Sequence, residues 1–214
     1  MNKTIVIFGA GEGISFELAK IFVQNNFNVT LISRNIFKLE KIKETLIQIN
    51  NNVKIFSCDI SDEKQLNQTI DTILEENNEI DAVLYNAAHI KQGNILDESF
   101  KTIVDDFKIN VASLVTIVQR FRPALSRSTG ALLITGGGIG IKPNPDYVSL
   151  SLGKAALRNL TQSINKTLSG ENVFVSTILI NSYVSTEKKL HNPKNIADIF
   201  WNLYRDRSVS EVLL

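Results

Sequence analysis

Short apolar runs punctuate the chain at a regular interval. Thr4–Phe8, Asn28–Ser33, Val53–Ser57, Ala82–Tyr85, Ala131–Thr135 and Val173–Ile180 are rich in β-branched and aliphatic residues. Each is too short for a helix, which is the pattern of a strand buried on both faces. Between them, Ile14–Gln24, Ile36–Ile49, Glu63–Glu75 and Ser151–Leu168 repeat their apolar residues at three and four, the period of an amphipathic helix. Such alternation predicts right-handed βαβ units and hence a doubly wound α/β fold, a parallel β-sheet with helices on both faces. A further helix is expected around Ile196–Tyr204 and a last short strand at Val212–Leu214. No low-complexity linker breaks the pattern, and 214 residues suit one domain spanning 1–214.

Composition narrows the function classes. The chain is 43% hydrophobic and 21% charged, as soluble globular proteins are. Its 23 Lys and Arg nearly balance 22 Asp and Glu, so no basic field draws nucleic acid. Cys58 is alone, which excludes an internal disulfide framework. No apolar run reaches the roughly 18 residues that span a bilayer, and the N-terminus enters a strand without a charged leader. A cytoplasmic protein with no membrane partner and no metal site is expected.

The first strand runs through Gly9-Ala10-Gly11-Glu12-Gly13-Ile14-Ser15 directly into a helix, which is where a dinucleotide fold receives its pyrophosphate. Glycines permit the tight turn and let backbone N–H groups approach the anion. This loop resembles the Gly-x-x-x-Gly-x-Gly turn of the short-chain dehydrogenase/reductase family: Gly9 and Gly13 match, and Ser15 stands at the third glycine. The resemblance extends over most of the chain, through Asp59, Asn86-Ala87-Ala88, Asn110 within Lys108-Ile109-Asn110-Val111, and Lys154-Ala155-Ala156-Leu157.

The resemblance implies a Rossmann fold that binds a nicotinamide dinucleotide, in a homodimer or homotetramer packed through the helices around Asn110 and Lys154. Gly9, Gly11, Gly13 and Ile14 would cradle the pyrophosphate. Asp59 would contact the adenine, Asn86 and Ala87 would line the cofactor, Lys154 would hold the nicotinamide ribose, and Ser185 and Thr186 would stand near the nicotinamide amide. Asp59 is equally suited to capping the helix that begins near Ser61. The second strand ends Ile32-Ser33-Arg34-Asn35, with no carboxylate for a ribose 2′-OH. Ser33 and Arg34 suit a 2′-phosphate instead, since a guanidinium makes charge-assisted bidentate contacts with it. NADP(H) is therefore the preferred cofactor and NAD(H) the possible second; the alternative for Arg34 is a solvated charge at a helix start.

Catalysis in the family implies a Tyr four residues before the Lys, a Ser after strand five and an Asn in the preceding helix. The Tyr gives or takes the hydroxyl proton, the Lys lowers its pKa, the Ser orients the substrate oxygen and the Asn carries a relaying water. Here Asn110 and Lys154 are present, but Leu150 stands at the tyrosine and Gly136 or Gly137 at the serine. Tyr147 is the substitute acid on the same helical face, about 10 Å of rise from Lys154 instead of about 6 Å. His89, Thr135, Ser149 and Ser151 are further candidates, and N–H groups of Gly136-Gly137-Gly138 offer a possible hold on a carbonyl. The short stretch Glu187–Pro193 leaves little to cover the substrate. The expected activity is NADP(H)-dependent hydride transfer to or from a small carbonyl or alcohol, with an unusual proton donor and Asn110, Lys154 and Tyr147 as the catalytic set. The alternative is a sensor that binds the dinucleotide without reacting it.

Overall fold

The computed structural model describes residues 2–214. Seven strands form one sheet: β1 (Thr4–Phe8), β2 (Asn28–Ser33), β3 (Val53–Ser57), β4 (Ala82–Tyr85), β5 (Ala131–Gly137), β6 (Phe174–Ile180) and β7 (Glu211–Leu213). Their order is β3-β2-β1-β4-β5-β6-β7, and every pair is parallel. Side chains alternate along each strand, so the sheet feeds two cores. Val6, Phe8, Val83, Tyr85, Leu132 and Ile134 belong to one, while Ile5, Ile7, Leu84 and Leu133 belong to the other.

The helices are α1 (Ile14–Gln24), α2 (Ile36–Ile47), α3 (Glu63–Glu76), α4 (Phe100–Phe107), α5 (Ser113–Ser128), α6 (Val148–Leu168) and α7 (Pro193–Asp206). Four of them start on a side-chain cap: Asn35, Asp62, Ser99 and Asn192 each accept from the backbone N–H three residues on. Helix α1 starts on Gly13 with no side-chain cap, which leaves its first N–H groups open.

The chain leaves β1 for β2 on one side and reaches β4 on the other, so the sheet's direction reverses at β1. Ligands in open α/β sheets bind at that switch point, in the crevice beyond the carboxyl ends of the strands. The residues that follow β1, β4 and β5 therefore define where to look. Two expectations need correcting here. The fifth strand does not end at Thr135: Gly136 and Gly137 continue β5, paired with Leu179 and Ile180. Helix α6 starts three residues before Ser151, because its first turn is bonded to Gly93 through Val148 N–H.

Candidate active site

Gly9 has φ +79°, and a Cβ there would lie 2.4 Å from the Ala87 nitrogen. Its glycine is demanded by the fold, since the β1 and β4 exits nearly touch. Gly11 and Gly13 are different: a Cβ on either would meet nothing within 4 Å, so neither packing nor a positive φ explains them. Open space beside an uncapped helix N-terminus is what an approaching anion needs. The N–H groups of Gly9 and Ala10 both donate to the Ile32 carbonyl at 3.0 Å. Gly11 N–H donates to Ser15 Oγ at 2.8 Å, so the serine in place of the third glycine is buried and ties the loop together. Glu12, Gly13, Ile14 and Ser15 keep N–H groups without a partner among the described residues. Of the residues expected in the cradle, Gly13 and Ile14 thus keep free N–H groups, while Gly9 and Gly11 donate theirs within the protein.

Ser33 and the exposed Arg34 end β2 beside β3, whose exit carries Asp59. Asp59 Oδ1 accepts from Ser61 N–H at 2.9 Å and from Ser61 Oγ at 2.7 Å. Burial opposes its ionisation, but the two Ser61 bonds and the Arg34 charge outweigh this and hold the carboxyl below its usual range. The cap of α3 is Asp62, not Asp59, which leaves Asp59 in a turn facing Arg34. Arg34 has no carboxylate within ion-pair distance among the described residues. Its charge is therefore available to a ligand.

A chain of hydrogen bonds crosses the crevice. Asn86 Nδ2 donates to the Gly9 carbonyl at 3.1 Å, Thr135 Oγ1 donates to Asn86 Oδ1 at 2.8 Å, and Lys154 Nζ donates to the Thr135 carbonyl at 2.7 Å. Lys154 is 7% exposed, and that carbonyl is the one hydrogen-bond partner of its ammonium among the described residues. Burial pushes it down from 10.5 to about 8. Unfolded chain keeps the proton until 10.5 and folded chain releases it near 8, so stability rises with pH between those values and the whole penalty is present below about 8. That penalty is roughly 3 kcal/mol. In urea unfolding at pH 7, 8.5 and 10, the cofactor-free protein should gain stability with pH relative to Lys154→Met. Parallel pH curves for the two proteins would remove the buried charge from the account.

The helix that carries Asn110 is broken by a π-turn over Lys108–Ala112, between α4 and α5. Such turns free backbone carbonyls and occur at functional sites. Buried Tyr85 donates its hydroxyl to the Ile109 carbonyl, and lies 2.6 Å from Ser113 Oγ, which fixes the bulge over the end of β4. Asn110 Oδ1 accepts from the His89 backbone N–H at 2.8 Å. Its Nδ2 is buried with no partner among the described residues, beside Gly153, the residue before Lys154. An orphaned buried donor calls for water or a ligand.

Asp106 was not marked by the sequence. It is 3% exposed, with Oδ1 2.5 Å from His89 Nδ1 and Oδ2 accepting from Ser149 Oγ at 2.6 Å. Its spacing of four before Asn110, on one helical face, was the available signal. Tyr147 is the cap of α6 with φ −138° and ψ 51°, outside the helix, so the helical-face argument for it does not apply. Leu150 is 9% exposed and joins neither core cluster. Gly137 has extended backbone, and a Cβ there would lie 3.3 Å from Lys154 Cγ. A Cβ on Gly136 would instead meet Leu179 and Thr177, so of the two glycines Gly137 is the one directed at Lys154. Thr186 lies exposed in the turns of 181–192, and no hydrogen bond among the described residues ties it to the rest.

Fold and site together define a dinucleotide-binding α/β oxidoreductase. The chain belongs to the short-chain dehydrogenase family, whose model matches residues 3–194. It is 26% identical over 209 residues to an uncharacterized oxidoreductase of Staphylococcus epidermidis, covering 92% of this chain and 88% of the relative. It is 23% identical over 180 residues to a 3-oxoacyl-(acyl-carrier-protein) reductase of Chlamydia trachomatis, covering 83% of this chain and 73% of the relative. Among solved structures, the alcohol dehydrogenase of the archaeon Thermococcus sibiricus complexed with 5-hydroxy-NADP superposes with TM-score 0.89 at 21% identity, covering 100% of this chain and 96% of that one. A metagenomic short-chain oxidoreductase in complex with NADP gives 0.90 at 22% identity, covering 99% and 96%.

Proposed function

We propose that the chain is an NADP(H)-dependent oxidoreductase acting on a small carbonyl or alcohol. The observation that carries this is Lys154: a buried ammonium with one neutral partner, at the end of a bonded chain that starts in the glycine loop. Such a charge is costly unless an oxygen-rich or anionic ligand arrives beside it. Gly13 and Ile14 would hold the pyrophosphate on their free N–H groups, Arg34 with Ser33 the 2′-phosphate, Asp59 the adenine, and Lys154 the nicotinamide ribose. Asn86 and Ala87 would form the crevice floor. A bound nicotinamide dinucleotide supplies hydride chemistry at its ring; the protein's part is to place the substrate oxygen and to handle its proton.

The NADP-complexed structural relatives support the phosphate reading. Wild type should bind NADPH more tightly than NADH, and Arg34→Ala should lose about 1.5 to 3 kcal/mol with NADPH alone, roughly 10- to 150-fold in affinity. Calorimetric titration of both cofactors checks this, and equal wild-type affinities contradict it. A homodimer or homotetramer fits the exposed apolar side chains Phe100, Val104, Phe107, Val115 and Leu152 on α4, α5 and α6. No helix among the described residues is long and apolar enough to cross a membrane, and the reading places the enzyme in the cytoplasm. The experiment for the activity is NADPH oxidation against a panel of aldehydes, ketones and quinones; tight binding with no turnover of any acceptor would turn the reading to a sensor.

A further inference from the structure

We infer that His89 gives and takes the substrate proton through Nε2, and that Asp106 is the residue that positions it. The inference rests on the oxidoreductase reading and answers the question that reading leaves, namely what replaces the tyrosine.

His89 follows Asn86 by three residues, so it stands just beyond the carboxyl end of β4, on the rim of the crevice. Its backbone is fixed by Asn110 Oδ1 and its Nδ1 by Asp106 Oδ1. No protein group among the described residues meets Nε2, and the side chain is 40% exposed. One nitrogen is thus anchored and the other is left without a protein partner on a part-exposed ring. Catalytic imidazoles are held this way, with a carboxylate setting the tautomer and stabilising the imidazolium.

The Asp106 carboxylate, buried to 3% exposure inside a helix layer, is costly, and an apolar residue would hold α4 to α6 at less cost. The carboxylate divides its oxygens between His89 and Ser149. Ser149 sits in the first turn of α6, where a negative charge is favoured, and immediately precedes Leu150. The carboxylate–imidazole pair is therefore tied to the same helix turn that carries Leu150. Tyr147, by contrast, has its backbone bridged to Gly93, and no hydrogen bond among the described residues orients its phenol.

In the oxidative direction, the Nε2 lone pair takes the proton of the alcohol O–H while the carbinol C–H bond breaks, its hydride going to the oxidised nicotinamide. The C=O bond forms, the imidazolium is paired with Asp106, and the proton passes to solvent. In reduction, Nε2–H gives its proton to the carbonyl oxygen as hydride from NADPH reaches the carbon, and solvent returns the proton to the ring.

The test has two readouts. The chain holds two histidines, so nitrogen-15 NMR of histidine-labelled protein, with His191→Gln for assignment, reads the tautomer directly. Neutral His89 should carry its proton on Nδ1, and Asp106→Asn, which keeps a hydrogen-bonding side chain, should move the ring toward the Nε2–H form. In turnover of 4-nitrobenzaldehyde with NADPH, His89→Gln should lower kcat by about 10² to 10⁴, the usual reach of general acid–base catalysis. NADPH affinity should stay within about twofold, and imidazole in the buffer should restore part of the rate to His89→Gly. An Nε2–H tautomer in wild type, or loss of turnover with Tyr147→Phe and not with His89→Gln, overturns the proposal. Wild type that binds NADPH but reduces no acceptor defeats the oxidoreductase reading and the proton role with it. Wild type and His89→Gln that reduce equally defeat the dyad alone.

Discussion

Gly137→Ser together with Leu150→Tyr, placed in a His89→Gln chain, is expected to restore carbonyl reduction by about 10²- to 10⁴-fold over His89→Gln itself. The parts the pair needs are already in position. Gly137 has extended backbone that a serine adopts without strain, and its new Cβ meets only the bending stem of Lys154 at 3.3 Å and Ile139 at 3.5 Å. Leu150 lies one turn before Lys154 in α6, about 6 Å of rise away; it is 9% exposed but joins neither core cluster, so the larger ring must be checked for folding by urea unfolding. The Lys154 ammonium would lower the new phenol's pKa. Cofactor affinity is measured first, because a serine that displaced the lysine would show there. Unchanged NADPH affinity with no gain in turnover would mean that Leu150 does not face the reacting atoms.

The glycine loop yields the largest expected loss. Gly9→Ala should destabilise the fold by more than about 3 kcal/mol, combining left-handed backbone strain with a Cβ driven against the Ala87 backbone. Gly13→Ala should leave the urea midpoint near wild type, because its Cβ meets nothing, and should instead weaken NADPH binding. The two glycines would then separate fold from ligand. Equal loss of stability in both variants would show that Gly13 serves the chain and not a cofactor.

The contrast between these glycines also marks how far the sequence can be read. β1 to β4 match their apolar runs residue for residue, because each run is bounded by turn-forming or polar residues; β1 and β4 are buried on both faces, whereas β3 at the sheet edge is partly exposed. Helix α6 was read as starting at Ser151 because Pro143 and Pro145 obscure its entry, which is set by the long-range bond from Val148 to Gly93. The helices α4 and α5 were not read from their periodicity, and a helix around Asn110 was implied only by the resemblance; the π-turn at Lys108–Ala112 inserts an extra residue there and shifts the apolar face. At the site, Gly9, Asp59, Asn86 and Lys154 were legible as a motif. Asp106 was not, since its partners His89 and Ser149 lie 17 and 43 residues away and its spacing of four before Asn110 names neither of them. Tyr147 looked helical by counting, and only the backbone angles at the cap show otherwise.

The central claim is hydride transfer, and isotope transfer tests it most directly. The protein is incubated with 4-nitrobenzaldehyde and NADPH deuterated at nicotinamide C4, on each face in turn, and the alcohol is analysed by mass spectrometry. The account predicts deuterium on the new carbinol carbon from one face only, at a rate that needs the protein. Alcohol no richer in deuterium than the protein-free control, from a protein that still binds NADPH, would contradict it.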